Sequence, residues 1–513
     1  MAARGGCEGL AEWLRAGGAR WEGFEWGRGG ASGDGAFCVR ALRAVRAGEE
    51  ICQIPKRLCL TPVTSGAAGL LLEEGVGGTL AVVFAVMYEL ARGPESPWHG
   101  YLRTLPEMEP LPIFWSSEDV ELLAGTEMED MLDTDLALMR QDYDESVAPI
   151  LKRHPELDGA GMSFEAFRRA ASLVASRAFY VDSAHGEGMV PLADMFNHRT
   201  GKEHVHFCAE SDSEEEDSDE GDSGERGGDG REGGEEERGK VEEGKEAVQP
   251  EGDGETARQG KERKDVLTMV VVRDAEEGEE LFNTFGMHGN AALLHKYGFA
   301  EPDNCLNTVK IDAEMLEMGF EEEVSLSIAE DLFKDRDMQE LYEISPEGEI
   351  EKELLMVAHF GCLSSEARRK LTERPGAGAY AALDAMTESE LLGHGPEFTG
   401  PVLAYVISLL EERRGMYAWE GTAEQDFERM RAEMPSGSGA LGCTGRAAAY
   451  CLSGGEKKVL EKAFVRLLQL AKKGLGAAKG KRPAPGGSDT GNKKRGRRGT
   501  VSGAPYDPVV RLG

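Results

Sequence analysis

Alternating apolar and polar residues predict strands near the start of the chain and on either side of a polar segment in its middle. Ala36 to Pro55 is expected to form a strand, a turn at Ala47-Gly-Glu, and a second strand, because β-branched and apolar residues alternate with polar ones. Val205-His-Phe-Cys208 and the apolar run Val266–Val272 also read as strands. We expect these two strands to pair, since a surface loop tolerates a long insertion at modest entropic cost.

A three- to four-residue apolar period predicts helices elsewhere. Leu80 to Arg92 is a strongly apolar helix, Glu118 to Arg153 a longer amphipathic region, and Phe164 to Val181 continues the helical pattern. From Ile311 to Lys473 the pattern is almost wholly helical, which predicts an all-α domain over 311–473 with a scaffold or partner-binding role. Its clearest periodic stretches are Glu351–Phe360, Val402–Arg414, Thr422–Glu433 and Glu456–Lys473.

Residues 210–264 have a different composition from the rest of the chain. They include 22 acidic and 9 basic residues, and so carry −13 of the net charge of −36. Large apolar side chains are nearly absent, so this segment cannot bury enough surface to offset an ordering entropy of about 1–2 kcal/mol per residue. We expect a disordered acidic loop that either steers a basic substrate or serves as a solvated spacer.

Length and composition bound the possible classes of protein. A chain of 513 residues with 40% apolar and 30% charged residues favours two domains with unstructured segments. The net charge of −36 argues against a nucleic-acid-binding surface. The nine cysteines form no CxxC pair, so neither a metal site nor a disulfide framework is predicted. No signal core or membrane span is apparent, and we expect a soluble intracellular protein.

The tail from Gly474 is rich in Gly, Pro, Lys and Arg and is expected to be disordered over 474–513. Lys481-Arg482 is followed, ten residues later, by the basic cluster Lys493–Arg498. This spacing is typical of a two-part nuclear import signal, although a generic basic tail has a similar composition. The sequence therefore predicts a nuclear protein that can also be cytoplasmic.

Three candidate binding features precede the middle of the chain. The turn Ser32-Gly-Asp34-Gly-Ala36 offers main-chain groups before a strand, but most Gly-rich turns only join strands. Asn197-His198 follows the apolar run Pro191–Phe196, where an amide could meet a ligand or merely cap a strand end. Arg177 could pair with a ligand carboxylate or remain a solvated helix cation. Each feature is ambiguous alone.

Aromatic residues cluster after the acidic segment, at Phe282, Phe285, Tyr297 and Phe299. Such a cluster is usually plain core. The alternative is a channel for a lysine side chain, because aromatic faces suit a long apolar stem with a cationic head.

The order of these motifs resembles that of a known enzyme family. The Gly-rich turn, Ser176-Arg-Ala-Phe179, Ala193–His198, Gly278–Gly286 and His295–Pro302 together resemble SET-domain lysine methyltransferases of the Rubisco large-subunit methyltransferase type. The nearest branches are SET domain-containing protein six and the yeast ribosomal lysine methyltransferases. The match covers roughly residues 8–310, and the helical remainder more weakly resembles that family's substrate-binding domain.

The resemblance implies an α+β SET fold, with small twisted sheets and a knot-like crossing of the Asn197-His198 segment near Phe282–Tyr297. A helical insertion over about 60–185 would split the SET domain, and the all-α domain would follow. The implied cofactor is S-adenosylmethionine and the implied partner is a protein with an exposed lysine, ribosomal or chromatin-associated. The implied cofactor residues are Ser32, Asp34, Arg177, Asn197, His198 and Tyr297.

One residue departs from the family pattern. Phe285 stands where a catalytic tyrosine is expected, so the ring is kept and a hydroxyl near the methyl acceptor is lost. Tyr297 remains as a catalytic candidate beside Phe285. The leading hypothesis is a protein-lysine N-methyltransferase acting on a non-histone protein. The alternatives are a catalytically weakened adaptor that binds a partner through the helical domain, and methylation of another nucleophile such as histidine.

Overall fold

A computed structural model describes most of the chain outside the acidic segment and the tail. The predicted acidic loop and the two-part basic signal lie outside the described residues. For residues 2–7 and 471–480 the description is of the backbone alone. The described ranges are 2–28, 37–129, 131–157, 161–208, 265–334, 336–373, 378–392, 402–434 and 443–480.

A four-stranded antiparallel sheet in the order β1-β4-β8-β7 forms the centre of the N-terminal half. Four two-stranded sheets, β2-β3, β5-β6, β9-β12 and β10-β11, complete the β structure of the described ranges. The strands are β1 (Arg20–Trp21), β2 (Phe24–Arg28), β3 (Phe37–Ala41), β4 (Glu50–Pro55), β5 (Ala178–Asp182), β6 (Gly186–Met189), β7 (Val205–Cys208), β8 (Val266–Val271), β9 (Phe299–Ala300), β10 (Val309–Asp312), β11 (Leu341–Ile344) and β12 (Cys443–Thr444).

Strands β7 and β8, on either side of the acidic segment, pair as predicted. Their antiparallel register sets Val205 opposite Val271 and Cys208 opposite Thr268. Buried residues alternate along β8, because one face of the sheet covers the core and the other is partly solvated. The long insertion therefore leaves from and returns to the same end of one hairpin.

The helical insertion packs its apolar faces beneath this sheet. Helix α3 (Gly78–Arg92) is buried along most of its length, including Phe84, Val86 and Met87, which explains its apolar composition. The predicted region 118–153 is broken into short helices. Gly125 lies in one break at φ +72°, where a Cβ atom would come within 2.3 Å of the Met416 backbone. The helices are α1 (Ala2–Ala16), α2 (Ala68–Glu74), α3 (Gly78–Arg92), α4 (His99–Leu102), α5 (Ser117–Val120), α6 (Met131–Asp142), α7 (Ala148–Arg153) and α8 (Phe164–Arg177).

The C-terminal region is mostly helical but departs from the prediction in two respects. Strands β10 and β11 pair over four residues each, so 311–473 is not all-α. The last helix continues to Gly480, beyond the tail boundary predicted at residue 474. The helices are α9 (Asn290–Tyr297), α10 (Ala313–Met318), α11 (Glu322–Ser327), α12 (Lys352–Cys362), α13 (Ser365–Thr372), α14 (Ala379–Asp384), α15 (Glu388–Leu391), α16 (Val402–Gly415), α17 (Ala423–Glu433) and α18 (Gly445–Gly480).

Three apolar cores hold these elements together. The first lies between the central sheet and the insertion helices, and the second lies within the C-terminal helices. The third core combines insertion residues such as Met128 with Leu294 of α9, Ala300 of β9, Phe427 of α17 and Leu452 of α18. The helical region is therefore packed against the N-terminal half of the chain. Within the described ranges, no helix combines the length and apolar character that a bilayer span requires.

The predicted crossing of two distant segments is present. His198 forms a parallel bridge with Asn283, although the two residues are far apart in sequence. The Asn283 N–H donates to the Asn197 carbonyl at 2.8 Å, and the Arg199 N–H donates to the Asn283 carbonyl at 3.2 Å. These main-chain bonds bring the two diagnostic motifs together.

Candidate active site

The segment leading to Asn197 is held in an unusual backbone conformation. Leu192 has φ +79° although it is not glycine, and a short 3-10 turn over Ala193–Met195 follows. Phe196 is buried and meets Phe24 edge to face at 5.3 Å between ring centroids. A strained backbone persists only where packing enforces it, and such positions cluster at functional sites. The turn places Asn197 and His198 at the crossing.

The Asn197 side chain is oriented by two acceptors. Its Nδ2 donates to the Phe37 carbonyl at 3.0 Å and to Glu280 Oε1 at 2.8 Å. Both acceptors require the amide nitrogen, so the Oδ1 atom points elsewhere. No donor to Oδ1 occurs among the described residues.

The His198 imidazole is a structural link between the two motifs. Its Nδ1 accepts the Phe285 N–H at 3.0 Å, and its Nε2 lies 3.0 Å from Thr200 Oγ1. Burial, reinforced by nearby His288, lowers the pKa of His198 to about 4. The ring is therefore neutral at physiological pH, with Nδ1 as the acceptor and Nε2 carrying the hydrogen.

The Phe285 carbonyl is bound from the other side by two groups. The Tyr297 hydroxyl donates to it at 3.2 Å, and His288 Nε2 lies 3.0 Å from it. The Phe285 and Tyr297 ring centroids are 4.8 Å apart, while Phe299 lies 6.4 Å from each. Three of the four predicted aromatic residues thus form one cluster around the main chain of Phe285.

The fourth aromatic residue, Phe282, packs elsewhere. Its ring centroid lies 5.9 Å from that of His204, and its N–H donates to His204 Nδ1 at 3.3 Å. Its carbonyl accepts main-chain N–H groups from His204 and Val205. Phe282 therefore anchors the start of the second motif to β7 and is not in contact with the Tyr297 ring.

Arg177 lies close to the same turn but is already paired. Its Nε donates to Glu109 Oε1 at 2.5 Å, and its Nη1 donates to the Asp194 carbonyl at 3.1 Å. Asp194 Oδ2 also accepts the Tyr101 hydroxyl at 2.7 Å. Burial alone would lower the pKa of Arg177, but the carboxylates of Glu109 and Asp194 raise it. The predicted pairing of Arg177 with a ligand carboxylate stays a prediction. Such a ligand would share the guanidinium with the carboxylates of Glu109 and Asp194.

Sequence reasoning missed Glu301, which braces the residues after His198. The Arg199 guanidinium lies 3.4 Å from Glu301 Oε1, and the Thr200 N–H donates to the same carboxylate. Arg199 also contacts Asp303 at 2.6 Å. The sequence signal for this role was the position of Glu301 within the short run Phe299-Ala-Glu-Pro302. An acid that is buried among such residues needs a hydrogen-bonding partner.

Glu280 and His288 were also missed, and Ser32 and Asp34 lie outside the described residues. Glu280 sits inside the Gly-Glu-Glu-Leu-Phe motif, where an inward acid next to an apolar residue gives a weak signal. His288 comes two residues after Gly286, which has φ +115°. A turn can be predicted from that glycine, but the return of the His288 ring to Phe285 cannot.

The geometry suits a polar ligand beside Asn197. Asn283 is only 1% exposed, and both side-chain amide atoms lack a hydrogen-bond partner in the described part of the chain. An unpaired buried amide is costly, so a polar group nearby would be favourable. The Asn283 main chain is bonded to that of Asn197, so this unpaired amide belongs to the same crossing.

The fold defined by this crossing is the SET fold. The SET domain of LSMT, solved with lysine and AdoHcy, superposes with a TM-score of 0.58 at 17% identity, covering 92% of this chain and 93% of that chain. Rubisco LSMT bound to AdoMet gives a TM-score of 0.54 at 17% identity, covering 92% and 93%. The predicted α+β SET fold, followed by a mostly helical C-terminal region, is confirmed.

Within this class, the sequence is related to N-lysine methyltransferase SETD6. The mouse protein is 27% identical over 280 residues, which cover 51% of this chain and 47% of the mouse protein. An uncharacterized protein of Schizosaccharomyces pombe is 30% identical over 190 residues, covering 34% and 38%. The chain thus spans about half or less of the length of these curated relatives, and no family model matches it. The predicted resemblance to SET-domain lysine methyltransferases near SETD6 is confirmed.

Proposed function

We propose that this protein is an S-adenosylmethionine-dependent protein-lysine N-methyltransferase acting on a non-histone protein. One observation carries the proposal: the main chain of Phe285 is fixed by His198 on its N–H and by Tyr297 on its carbonyl. This arrangement joins the motif proposed to hold the cofactor to the aromatic cluster proposed to hold the lysine. Two similar proteins support the same function. SETD6 is named as an N-lysine methyltransferase, and the SET domain of LSMT was solved with lysine and AdoHcy.

On the proposed cofactor side, the chain's role is binding and orientation. S-adenosylmethionine would supply an electrophilic methyl group. Asn197 Oδ1 is the acceptor available for an amino group, because Phe37 and Glu280 already occupy Nδ2. The unpaired Asn283 amide fits a polar ligand at the same crossing. Holding two reactants in line removes much of the entropic barrier to transfer.

On the proposed lysine side, aromatic rings and limited water access favour a neutral amine. A free lysine has a pKa of about 10.4, and desolvation lowers it. The rings of Phe285, Tyr297 and Phe299 are each partly buried and lie close together. Among these three side chains, the Tyr297 side chain is the one with a hydroxyl. Burial raises the pKa of Tyr297, so its hydroxyl remains protonated and can orient the amine only as a neutral phenol.

The test is transfer of a labelled methyl group. The purified chain is incubated with labelled S-adenosylmethionine and protein extract, and cofactor binding is measured separately by calorimetry. Asn197→Ala is expected to weaken binding, whereas His206→Ala, at a half-exposed position on β7, should leave it unchanged. Normal cofactor binding without transfer to any protein would contradict the proposal.

The second candidate is an adaptor that keeps the SET fold without efficient turnover. Phe285 favours it, because the ring packs against Tyr297 and offers no hydroxyl. A missing preorganised polar group costs about 2.7–4 kcal/mol where charge stabilisation dominates. Comparing the wild type with Phe285→Tyr separates the two candidates. An inactive wild type with an active variant would favour the adaptor, whereas measurable wild-type transfer favours the enzyme.

We further propose nuclear import through the basic clusters at Lys481-Arg482 and Lys493–Arg498, as their spacing suggests. A fluorescent fusion with alanines in both clusters should move to the cytoplasm. Alanines in one cluster should give an intermediate distribution. Unchanged nuclear signal in the double variant would contradict the proposal.

A further inference from the structure

His288 folds back onto the main chain of its own turn. Gly286 has φ +115°, and a Cβ atom there would lie 2.7 Å from His288 Nε2. The turn therefore needs glycine both for its backbone angle and for the space that the imidazole takes. The result is a ring whose Nε2 lies 3.0 Å from the Phe285 carbonyl.

The hydrogen on His288 can be placed from its partner. A carbonyl oxygen only accepts, so Nε2 must carry the hydrogen. Burial lowers the pKa of His288, and the charge on nearby Lys296 acts in the same direction, against the contact with Phe285. His288 is thus a neutral donor in the Nε2–H form.

The same carbonyl accepts the Tyr297 hydroxyl at 3.2 Å. The His288 and Tyr297 ring centroids are 6.2 Å apart, so the two donors approach Phe285 from adjacent directions. A carbonyl oxygen has two lone pairs and can accept both. Because the Phe285 carbonyl has two donors, either donor can leave and the oxygen still keeps one hydrogen bond.

We propose that His288 is a positioning residue that frees the Tyr297 hydroxyl to turn from the Phe285 carbonyl toward the acceptor amine. This inference rests on the proposed methyl transfer. When the hydroxyl swings away, His288 keeps the Phe285 oxygen paired, so the turn and the Phe285 N–H bond to His198 hold their geometry. Phe285 lacks a hydroxyl, so this hydroxyl is the one available among the three clustered rings.

The experiment compares His288→Phe with His288→Gln. Phenylalanine keeps a ring and loses the donor, whereas glutamine keeps an N–H donor of similar reach. We expect His288→Phe to lower kcat roughly 10-fold, with KM for the protein substrate and cofactor affinity unchanged, which corresponds to one hydrogen bond lost in the transition state. His288→Gln should recover most of kcat. His206→Phe, at a half-exposed position on β7, is the matched control.

A readout independent of turnover follows the Tyr297 hydroxyl directly. Tyrosine labelled at the ring ζ carbon is observed by NMR, and Tyr297→Phe assigns the signal. His288→Phe should shift that signal, because the hydroxyl becomes the sole donor to the carbonyl, and His288→Gln should restore it. If the wild type transfers no methyl group, the proposed function fails, but this measurement still tests His288.

Several results would overturn the role of His288. An unmoved Tyr297 signal in His288→Phe is one. A second is a loss of cofactor affinity equal to the loss of kcat, as a purely structural defect would give. Failure of His288→Gln to recover either readout, with normal thermal stability, is the third.

Discussion

At the scale of single residues, the site depends on groups that bond to the main chain. Phe285 receives support from His198 on one side and from Tyr297 and His288 on the other, while its own side chain supplies only a ring. If the proposed function holds, the absent hydroxyl at position 285 affects the acceptor amine and leaves the main-chain bonds of Phe285 in place. His198, which is the acceptor for the Phe285 N–H, should affect stability, and residues that meet ligands should affect binding.

His198 should make the stability of the folded protein depend on pH in the acid range. Its folded pKa of about 4 lies below its ordinary value of 6.5, so its contribution to stability is complete above pH 6.5 and is lost as pH falls toward 4. His198→Phe keeps a ring but has no acceptor for the Phe285 N–H, and it should be less stable than the wild type at pH 7 by about 1–3 kcal/mol. Denaturant unfolding between pH 4.5 and 7.5 should show this difference shrinking in acid. A constant difference would contradict it.

At the scale of elements, α9 is fixed at both ends. The Asn290 N–H donates to Asn307 Oδ1 at 2.7 Å, and Asn290 Nδ2 donates to the Glu301 carbonyl at 3.0 Å. At the other end, Gly298 caps the helix at φ +78°, with the Pro110 backbone 2.9 Å from where its Cβ would lie. Tyr297 directly precedes this cap, so its hydroxyl position depends on the close approach of the two segments.

Two helix caps offer a matched test of that approach. Gly75 ends α2 in the same left-handed conformation as Gly298, but nothing lies within 4 Å of its Cβ position. Gly75→Ala should cost about 1 kcal/mol of stability, from backbone conformation alone. Gly298→Ala should cost roughly 3 kcal/mol or more because the Pro110 backbone must also move, and it should lower the proposed methyl transfer. Equal costs in thermal unfolding would show that the contact is unimportant.

Helix α18 contains a buried acid that should respond to pH. Burial, assisted by Glu127 and opposed by Arg413, raises the pKa of Glu456 from 4.5 to about 8. The folded state retains a proton that the unfolded chain releases, so stability falls as pH rises from about 4.5 to about 8. Glu456→Gln mimics the protonated form and should stabilise the protein by about 2 kcal/mol at pH 8.

The same variant should have little effect at pH 5, where both chains carry a neutral group at position 456. The Glu127 N–H can still donate to the side-chain oxygen, as it does to Glu456 Oε1 at 3.1 Å. Urea unfolding at the two pH values measures the difference. A gain that is equal at both would mean that packing, and not ionisation, is responsible.

The elements that the sequence predicts well are those with a local signal. The alternation in β8 and the apolar run of α3 follow from their own residues. The β10–β11 pair was missed because each strand is only four residues long and is surrounded by acidic, helix-favouring sequence. Motif order identified the crossing at Asn197 and Asn283. The pairing of Arg177 with Glu109 joins residues 68 positions apart and has no local signal.

At the scale of the whole molecule, the acidic segment leaves the fold at a hairpin end. Cys208 faces Thr268, so a short Gly-Ser link can replace residues 209–264 without separating the strands. We predict unchanged cofactor affinity in this deletion, measured by calorimetry, because the proposed cofactor contacts lie at Asn197 and Asn283. A large loss would indicate that the segment packs against the site.

The third core has a consequence for how the protein is made. Leu294 and Ala300, on either side of Tyr297, are covered by Phe427 and Leu452 from the last helices. On the ribosome, residues near 300 emerge well before those near 450, and domains fold as their contacts become available. The apolar side of the Tyr297 segment therefore remains exposed to solvent while about 150 further residues are synthesised. During this interval the segment is most prone to aggregate, and a chaperone that covers it would have its largest effect.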